Sequence, residues 1–377
     1  MKTMKILLLG GGLQGLSFGE SLYKQGGYEL CSISNGFDIR KSLFFKKVYP
    51  VDPSGYEATL NHVFSEYQFD VIVPMGDATV SYLSKHKKDI ECRYHTKCAV
   101  VDEDVLYVVA DKSRFMEFCK KNSLPHPKTA AISEDKFDAV AKEIGFPSLI
   151  KPDFSVGARG ITRVNSLEEL KSQYSKVYKK YGPCTLQEFI DNPDYYYNVM
   201  MYRDSGGNCD NCVVIKIVRM YPIKAGSSSC CISVENPELV AICKKVLDKL
   251  NWVGMADFDV LQRKETLEYK IIEINPRVPA SLRAAFISGV NFPEMIVRDA
   301  IGEERRHYHY KPGKTLRYLG LDLLWLAKSK KLFGNNPSWF HFFSQNIYYQ
   351  DIFKHDPSTW YSWLVMGLKK KRSHNLQ

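Results

Sequence analysis

Ile271-Ile-Glu-Ile-Asn-Pro-Arg277 sets a carboxylate and an amide two residues apart in an apolar strand, so Glu273 and Asn275 share one face. A strand this apolar does not carry a carboxylate into a buried sheet unless a cation satisfies it. Pro276 ends the strand, and Arg277 follows as a fixed positive charge. Gly254–Leu261 reads as a neighbouring strand, joined to Leu267–Ile274 by a hairpin around Arg263–Thr266, and their pairing would bring Asp259 to the same place. Two carboxylates and an amide oxygen are the hard ligands that magnesium prefers, with phosphate and water completing its octahedron. Taken singly, Glu273 reads as an exposed strand carboxylate and Asn275-Pro276 as a turn; together they point to a metal.

Upstream, Leu149-Ile-Lys-Pro-Asp-Phe-Ser-Val-Gly-Ala-Arg-Gly-Ile161 places Lys151 on a strand before a turn that contains Ser155, Gly157, Arg159 and Gly160. Glycine admits close backbone approach and offers N–H donors, while Lys151 and Arg159 supply charge to nucleotide oxygens. The competing reading is an ordinary surface hairpin.

The first hundred residues alternate strand and helix. Strands are predicted at Lys5–Gly10, Tyr28–Ser34, Phe69–Met75 and Lys97–Asp102, and helices at Leu13–Gln25, Gly55–Tyr67 and Asp77–Lys88, which makes a parallel sheet covered by helices. Gly10, Gly12 and Gly15 fit G-x-G-x-x-G after a strand, the basis for an NAD-type oxidoreductase reading. That reading needs an acid at the end of the second strand, where Ser34-Asn35 stand and Asp38 lies further on. The alternative is a tight turn that packs helix on sheet. Asp111-Lys112 opens an amphipathic helix and Ser123-Leu-Pro-His-Pro127 breaks the chain, so a boundary is expected near residue 110.

With 377 residues, 45% of them apolar, the chain has the core of two or three domains rather than of a disordered protein. No apolar run approaches the roughly 18 residues of a membrane span, and the apolar opening meets Gly10-Gly11-Gly12 too early for a signal peptide, so a cytoplasmic location is expected. Ten scattered cysteines read as reduced thiols. Cys209-Asp-Asn-Cys212 has zinc-knuckle spacing and leaves open a metal shared with Cys230-Cys231. Of the net charge of +10, +8 falls from Gly302 onward, where 13 Lys+Arg meet 5 Asp+Glu. The last segment, Trp360-Tyr-Ser-Trp-Leu-Val-Met-Gly-Leu-Lys-Lys-Lys-Arg372, pairs aromatics with bases as an interfacial helix does at an inner membrane surface. Packing on the catalytic lobe is the other reading.

From about Lys112 to Ile301 the order of motifs resembles the ATP-grasp superfamily, in particular its D-aspartate ligase-like and carbamoyl-phosphate-synthase-like members. The resemblance implies an α/β chain with an N-terminal Rossmann-like pre-ATP-grasp domain (1–110). A two-lobed α+β ATP-grasp fold follows, with a small lobe (111–190) and a large lobe (191–305), and then a basic aromatic helical extension (306–377). It implies that ATP is held by Lys112, Lys151, Ser155, Gly157, Arg159, Gly160, Gln187, Glu188, Phe189, Ile190 and Asp194. Asp259, Glu273 and Asn275 would ligate Mg2+, with Mn2+ an admissible substitute. Lys151 and Arg277 would serve catalysis. Arg219, Lys216 and Lys224, on the strands before Gly226, read equally as cleft residues that hold an acidic substrate or phosphate and as solvated side chains, and so do Ser281 and Arg283 after the signature. The implied reaction joins a carboxylate to an amine through an acylphosphate, with no nucleic acid partner. An amino acid or amino sugar is the expected substrate, cell-envelope or polysaccharide modification the setting, and a homodimer an open arrangement. A catalytically silent ATP-binding protein is the alternative of a different class.

Overall fold

A computed structural model describes residues 3–36, 39–153, 160–223, 226–304, 306–329, 333–334, 336–342 and 344–359. Ser155, Gly157, Arg159, Asp38, Lys224 and the segment from Trp360 to Arg372 lie outside the described residues.

Among the described residues, three sheets organise the chain. The first holds β1 (Met4–Leu9), β2 (Tyr28–Ile33), β3 (Lys47–Tyr49), β4 (Val71–Pro74) and β5 (Lys97–Cys98), all parallel, in the order β3-β2-β1-β4-β5. Ile6 to Leu9 are fully buried because helices cover both faces, the pattern that a continuous apolar run predicts. β5 is shorter than its apolar run suggested, since Asp102 starts the helix Glu103–Val109. The helix expected over Asp77–Lys88 is two, Asp77–Lys85 and Lys87–Tyr94, hinged at His86.

The glycines of the first turn serve packing. A Cβ on Gly11 would sit 2.9 Å from Ser34 Oγ, and one on Gly15 would sit 3.2 Å from Ile39 Cδ1. Ser34, at the end of β2 where a dinucleotide-binding acid would stand, accepts from Gly36 N with its hydroxyl.

The second sheet is antiparallel, with β6 (Thr129–Ile132), β7 (Ser148–Pro152), β8 (Thr162–Val164) and β9 (Cys184–Glu188) in the order β6-β9-β7-β8. Ile132, Ile150, Val164 and Leu186 pack beneath the helices Phe137–Ile144 and Leu167–Tyr181. Strand alternation sends Lys151, Thr185 and Gln187 to the opposite face.

The third sheet orders β14 (Tyr269–Asn275), β13 (Gly254–Gln262), β10 (Tyr196–Arg203), β11 (Asn211–Tyr221), β12 (Ser227–Val234), β15 (Thr315–Arg317) and β16 (Ile347–Tyr349). One face buries Val199, Met201, Phe258 and Ile271 against the helix Pro237–Lys249. The other face shares a core with Ile6, Leu8 and Phe18 of the first unit, which brings the first sheet beside the ends of β13 and β14. After residue 305 the described residues add β15 and β16 to this sheet and form the helix Leu319–Ser329.

Arg219 and Arg317 explain that docking. Both guanidiniums grip the Asp322 carboxylate, Arg219 Nε at 2.7 Å and Arg317 Nη2 at 2.7 Å, with all three side chains buried. Arg219 thus holds the C-terminal segment, and its expected place against substrate is corrected: an arginine this buried needs a buried acid. Arg283 is corrected on the same ground. It is paired with the buried Glu20 at 2.9 Å and donates to Ile352 O at 2.7 Å, so it ties the first unit to the C-terminal segment. Ser281 lies in the turn before a helix of five residues, Arg283–Ile287, too short to present a strong N-terminal dipole. Lys216 rests its ammonium 3.5 Å from the centre of the Tyr195 ring.

Candidate active site

β13 and β14 pair so that Asp259 lies opposite Glu273 and Asp257 opposite Asn275. A bulge between Asp259 and Val260 leaves Ile272 without a partner. Ile271 and Ile274 therefore both face the apolar core, while Glu273 and Asn275 emerge together on the cleft side. The side chains of Asp257, Asp259, Glu273 and Asn275 form a two-by-two block of oxygen-bearing groups. Among the described residues no three His, Cys, Asp or Glu side chains stand at metal-binding spacing. A divalent ion here would consequently draw on two carboxylates, the Asn275 amide oxygen and phosphate oxygens, and the four cysteines weighed for zinc form no such group.

The electrostatics of the block fit a cation. Burial and the adjoining Glu273 carboxylate hold Asp259 well above the usual carboxylate range. Burial also raises Asp257 to about 7, against the pull of Arg277. Asp257 Oδ1 is buried without a hydrogen-bond partner. Asn198, across from Asp259 on β10, donates its amide to the Asp259 carboxylate and aims it. Such crowding of acids is costly until positive charge arrives.

Lys151 approaches from the second sheet. Its ammonium donates to Gln187 Oε1 at 2.5 Å, and Gln187 donates in turn to Thr129 Oγ1 at 2.9 Å. Burial pushes the Lys151 ammonium down to about 8; Glu273 opposes that shift, Lys112 adds to it, and Asp259 opposes it. These mutual influences place Lys112, Lys151, Glu273 and Asp259 around one space between the two sheets. Lys112 starts the helix Lys112–Lys121, whose N-cap Asp111 accepts from Arg114 N. Gly160 closes the glycine turn with φ +77°, and a Cβ there would lie 2.7 Å from Tyr181 and 2.8 Å from Pro152. Only glycine satisfies both conditions.

The link between the sheets runs through Glu188, Phe189 and Ile190. Glu188 pairs with Arg263 of the β13–β14 turn at 3.3 Å, and Phe189 lies under the Arg163 guanidinium at 4.1 Å. Ile190 is buried, whereas Asp194 is exposed on the loop into β10. Arg277 stands on the other side of the block. Its Nε donates to Asp77 Oδ1 at 2.7 Å and its Nη2 reaches Asn275 Oδ1 at 3.5 Å. Sequence reading missed Asp257, Asn198 and Asp77. Asp257 carried a usable signal, since it precedes Asp259 by two residues and shares its face; the other two carried none.

A small antiparallel sheet and a larger one, with Lys151 of the first directed at the acidic block of the second, form the arrangement of the ATP-grasp class. The chain belongs to the family of the carbamoyl-phosphate synthase L chain, ATP binding domain, whose model matches residues 111–307.

Similar proteins include the N-terminal section of the carbamoyl phosphate synthase large chain of Methanopyrus kandleri. It is 27% identical over 203 residues, covering 51% of this chain and 36% of that protein. The D-aspartate ligase of Enterococcus faecium is 23% identical over 248 residues, covering 61% of this chain and 58% of the ligase. The chain thus spans only about a third of the synthase section, 36% by alignment. Among solved structures, the biotin carboxylase domain dimer of Hydrogenobacter thermophilus 2-oxoglutarate carboxylase, in complex with MgADP, ADP and bicarbonate, aligns with a TM-score of 0.69 at 18% identity. It covers 84% of this chain and 74% of that one. N5-carboxyaminoimidazole synthetase from Staphylococcus aureus, complexed with ADP, aligns with a TM-score of 0.66 at 14% identity, over 88% and 87% of the two chains. These likenesses are of fold.

Proposed function

We propose that this chain is an ATP-dependent carboxylate–amine ligase that works through an acylphosphate and releases ADP and phosphate. The observation that carries the proposal is the pairing of Asp259 with Glu273 beside Asn275, opposite Lys151 and next to Arg277. In this reading residues 1–110 are a Rossmann-like pre-ATP-grasp domain, 111–190 the small lobe, 191–305 the large lobe and 306–377 an extension.

Asp259, Glu273 and Asn275 would hold Mg2+, which supplies charge neutralisation to the triphosphate oxygens; Mn2+ meets the same ligand chemistry. Lys112 and Lys151 hold phosphate oxygens, Lys151 most effectively because its surroundings exclude water. Glu188, Phe189 and Ile190 line the adenine end, and Asp194 meets the ribose. A substrate carboxylate oxygen attacks the γ-phosphorus, and the bond to the β-phosphate oxygen breaks to release ADP. Arg277 stabilises the acylphosphate and then the oxyanion that forms when an amine nitrogen attacks the carbonyl carbon. Phosphate leaves and the nitrogen loses its proton. Positioning and fixed charge do this work, and no side-chain nucleophile is required.

The D-aspartate ligase relative supports an amino acid as one substrate, with an amino sugar the other candidate, and the dimeric carboxylase neighbour supports a homodimer. In this reading the setting is cell-envelope or polysaccharide modification. The test is ADP and phosphate release in the presence of Mg2+ and panels of amino acids and amino sugars. Release that depends on an added amine is expected. ATP binding without turnover on any panel, unchanged in Glu273→Gln, would instead identify a silent nucleotide-binding protein.

A further inference from the structure

The helix Leu319–Ser329, Leu-Gly-Leu-Asp-Leu-Leu-Trp-Leu-Ala-Lys-Ser, is apolar around most of its circumference, yet it lies on the outside of the third sheet. Its inward side is accounted for by Asp322, clamped between Arg219 and Arg317, and by the buried Trp325. Its outward side is not. Leu323 and Leu324 are each 48% exposed, and the neighbouring Phe333 and Phe340 are 81% and 50% exposed. Those are the exposed phenylalanines among the described residues. Their rings lie 5.6 Å apart, and Phe340 also meets Trp339, which donates from Nε1 to Asp322 O. Trp339 thus ties the two phenylalanines to the helix that carries the exposed leucines, and such a display of large apolar side chains marks an interaction surface.

The sequence of this stretch is basic. From residue 319 onward the chain carries eight Lys+Arg (Lys328, Lys330, Lys331, Lys354, Lys369, Lys370, Lys371, Arg372) against three acids, Asp322, Asp351 and Asp356. All three acids are engaged inward. Asp322 and Asp356 are fully buried, and Asp351 accepts from the backbone N–H groups of Leu319 and Gly320. Lys328 and Lys354 are exposed. Among the described residues this stretch therefore shows the outside Leu323, Leu324, Phe333 and Phe340 together with the ammoniums of Lys328 and Lys354.

We infer that this face docks on an anionic lipid bilayer. Phenylalanine and leucine enter the headgroup boundary while lysines meet lipid phosphates, and the two contributions reinforce each other. A second copy of the chain fits less well, because lysine is depleted from the cores of protein–protein interfaces. Among the described residues no helix is long and apolar enough to cross a membrane, so the contact is one of lying on the surface. The inference is independent of the ligase chemistry.

Sedimentation of the full chain with sucrose-loaded vesicles tests it. Vesicles of phosphatidylcholine with about one-third phosphatidylglycerol are expected to bind about tenfold more tightly than phosphatidylcholine alone, and high salt is expected to weaken the binding. Phe333→Ser with Phe340→Ser, and separately Leu323→Ser with Leu324→Ser, are each expected to lower partitioning about tenfold, with Lys328→Glu giving a smaller loss. Melting temperature and MgATP binding report that each variant is folded. Four results would overturn the inference: no pelleting of the native chain, equal pelleting with both vesicles, full binding by both patch variants, or a native dimer that the patch variants split without altered pelleting.

Discussion

Arg277 Nε donates to Asp77 Oδ1 at 2.7 Å across 200 residues of sequence, joining the signature after β14 to the first residue of the helix Asp77–Lys85. The same guanidinium reaches Asn275 with Nη2, so it is held between the first unit and the oxygen-bearing block. Asp77 is accordingly a positioning residue for Arg277. Asp77→Ala should lower kcat by about tenfold to a hundredfold while KM for ATP changes little, because a small misplacement of a fixed charge weakens the transition state more than nucleotide binding. Asp77→Asn, which keeps an acceptor, should recover part of the loss. Steady-state kinetics of both variants decides this, and equal rises in KM for ATP would count against it.

Glu273→Gln removes one charge from the block and keeps its shape. Turnover is expected to fall at least about a hundredfold, in line with the loss of an electrostatic group from a preorganised site. The Mg2+ concentration for half-maximal nucleotide binding should rise. Asp257→Asn, one position further from Lys151, should alter Mg2+ dependence less. Titration calorimetry with MgADP at several Mg2+ concentrations separates the two.

Lys151 gives a pH signature with a definite sign. Burial lowers its folded-state value from the ordinary 10.5 to about 8, so the unfolded chain binds the extra proton between those values. The cost of burying the charge is fully present below pH 8, and stability without nucleotide should rise as pH climbs from about 8 toward 10.5. A triphosphate favours the charged amine, so MgATP affinity should fall above pH 8 with proton uptake on binding. Lys151→Met should bind weakly, with no such slope, and melt at a higher temperature near neutral pH. Calorimetry in buffers of differing ionisation enthalpy measures the proton, and thermal melts measure the rest.

Asp322→Ala leaves Arg219 and Arg317 buried without their shared partner. A loss of about 3–5 kcal/mol is expected in urea unfolding, the scale for breaking a buried ion pair by deleting one side. The effect should be on stability, with nucleotide binding in the surviving folded protein close to native. A loss below about 1 kcal/mol would mean that the pair is solvated.

Much of the lower architecture was legible in the order of residues. The apolar run at Lys5–Gly10, the strand at Ser148–Lys151 and the hairpin around Arg263–Thr266 announce their elements through local periodicity, and β1, β7 and the β13–β14 pair stand there. The spacing of Glu273 and Asn275 put both on one face because strand geometry repeats every two residues. Arg219 and Arg283 were not legible. Their partners, Asp322 and Glu20, lie 103 and 263 residues away, and a lone arginine on a strand or helix looks the same whether it meets substrate, solvent or a buried acid.

What the order of residues determined by itself is therefore local: which stretches are strands, and which of their side chains share a face. Only the tertiary structure decided which of those groups meet. The bulge at Ile272 turned Glu273 toward Asp259, Asp77 came from the first unit to hold Arg277, and Asp322 and Glu20 took up Arg219 and Arg283. The physical reason is burial. Charges taken out of water must find opposite charge wherever the chain folds to supply it, and sequence distance places no limit on where that is.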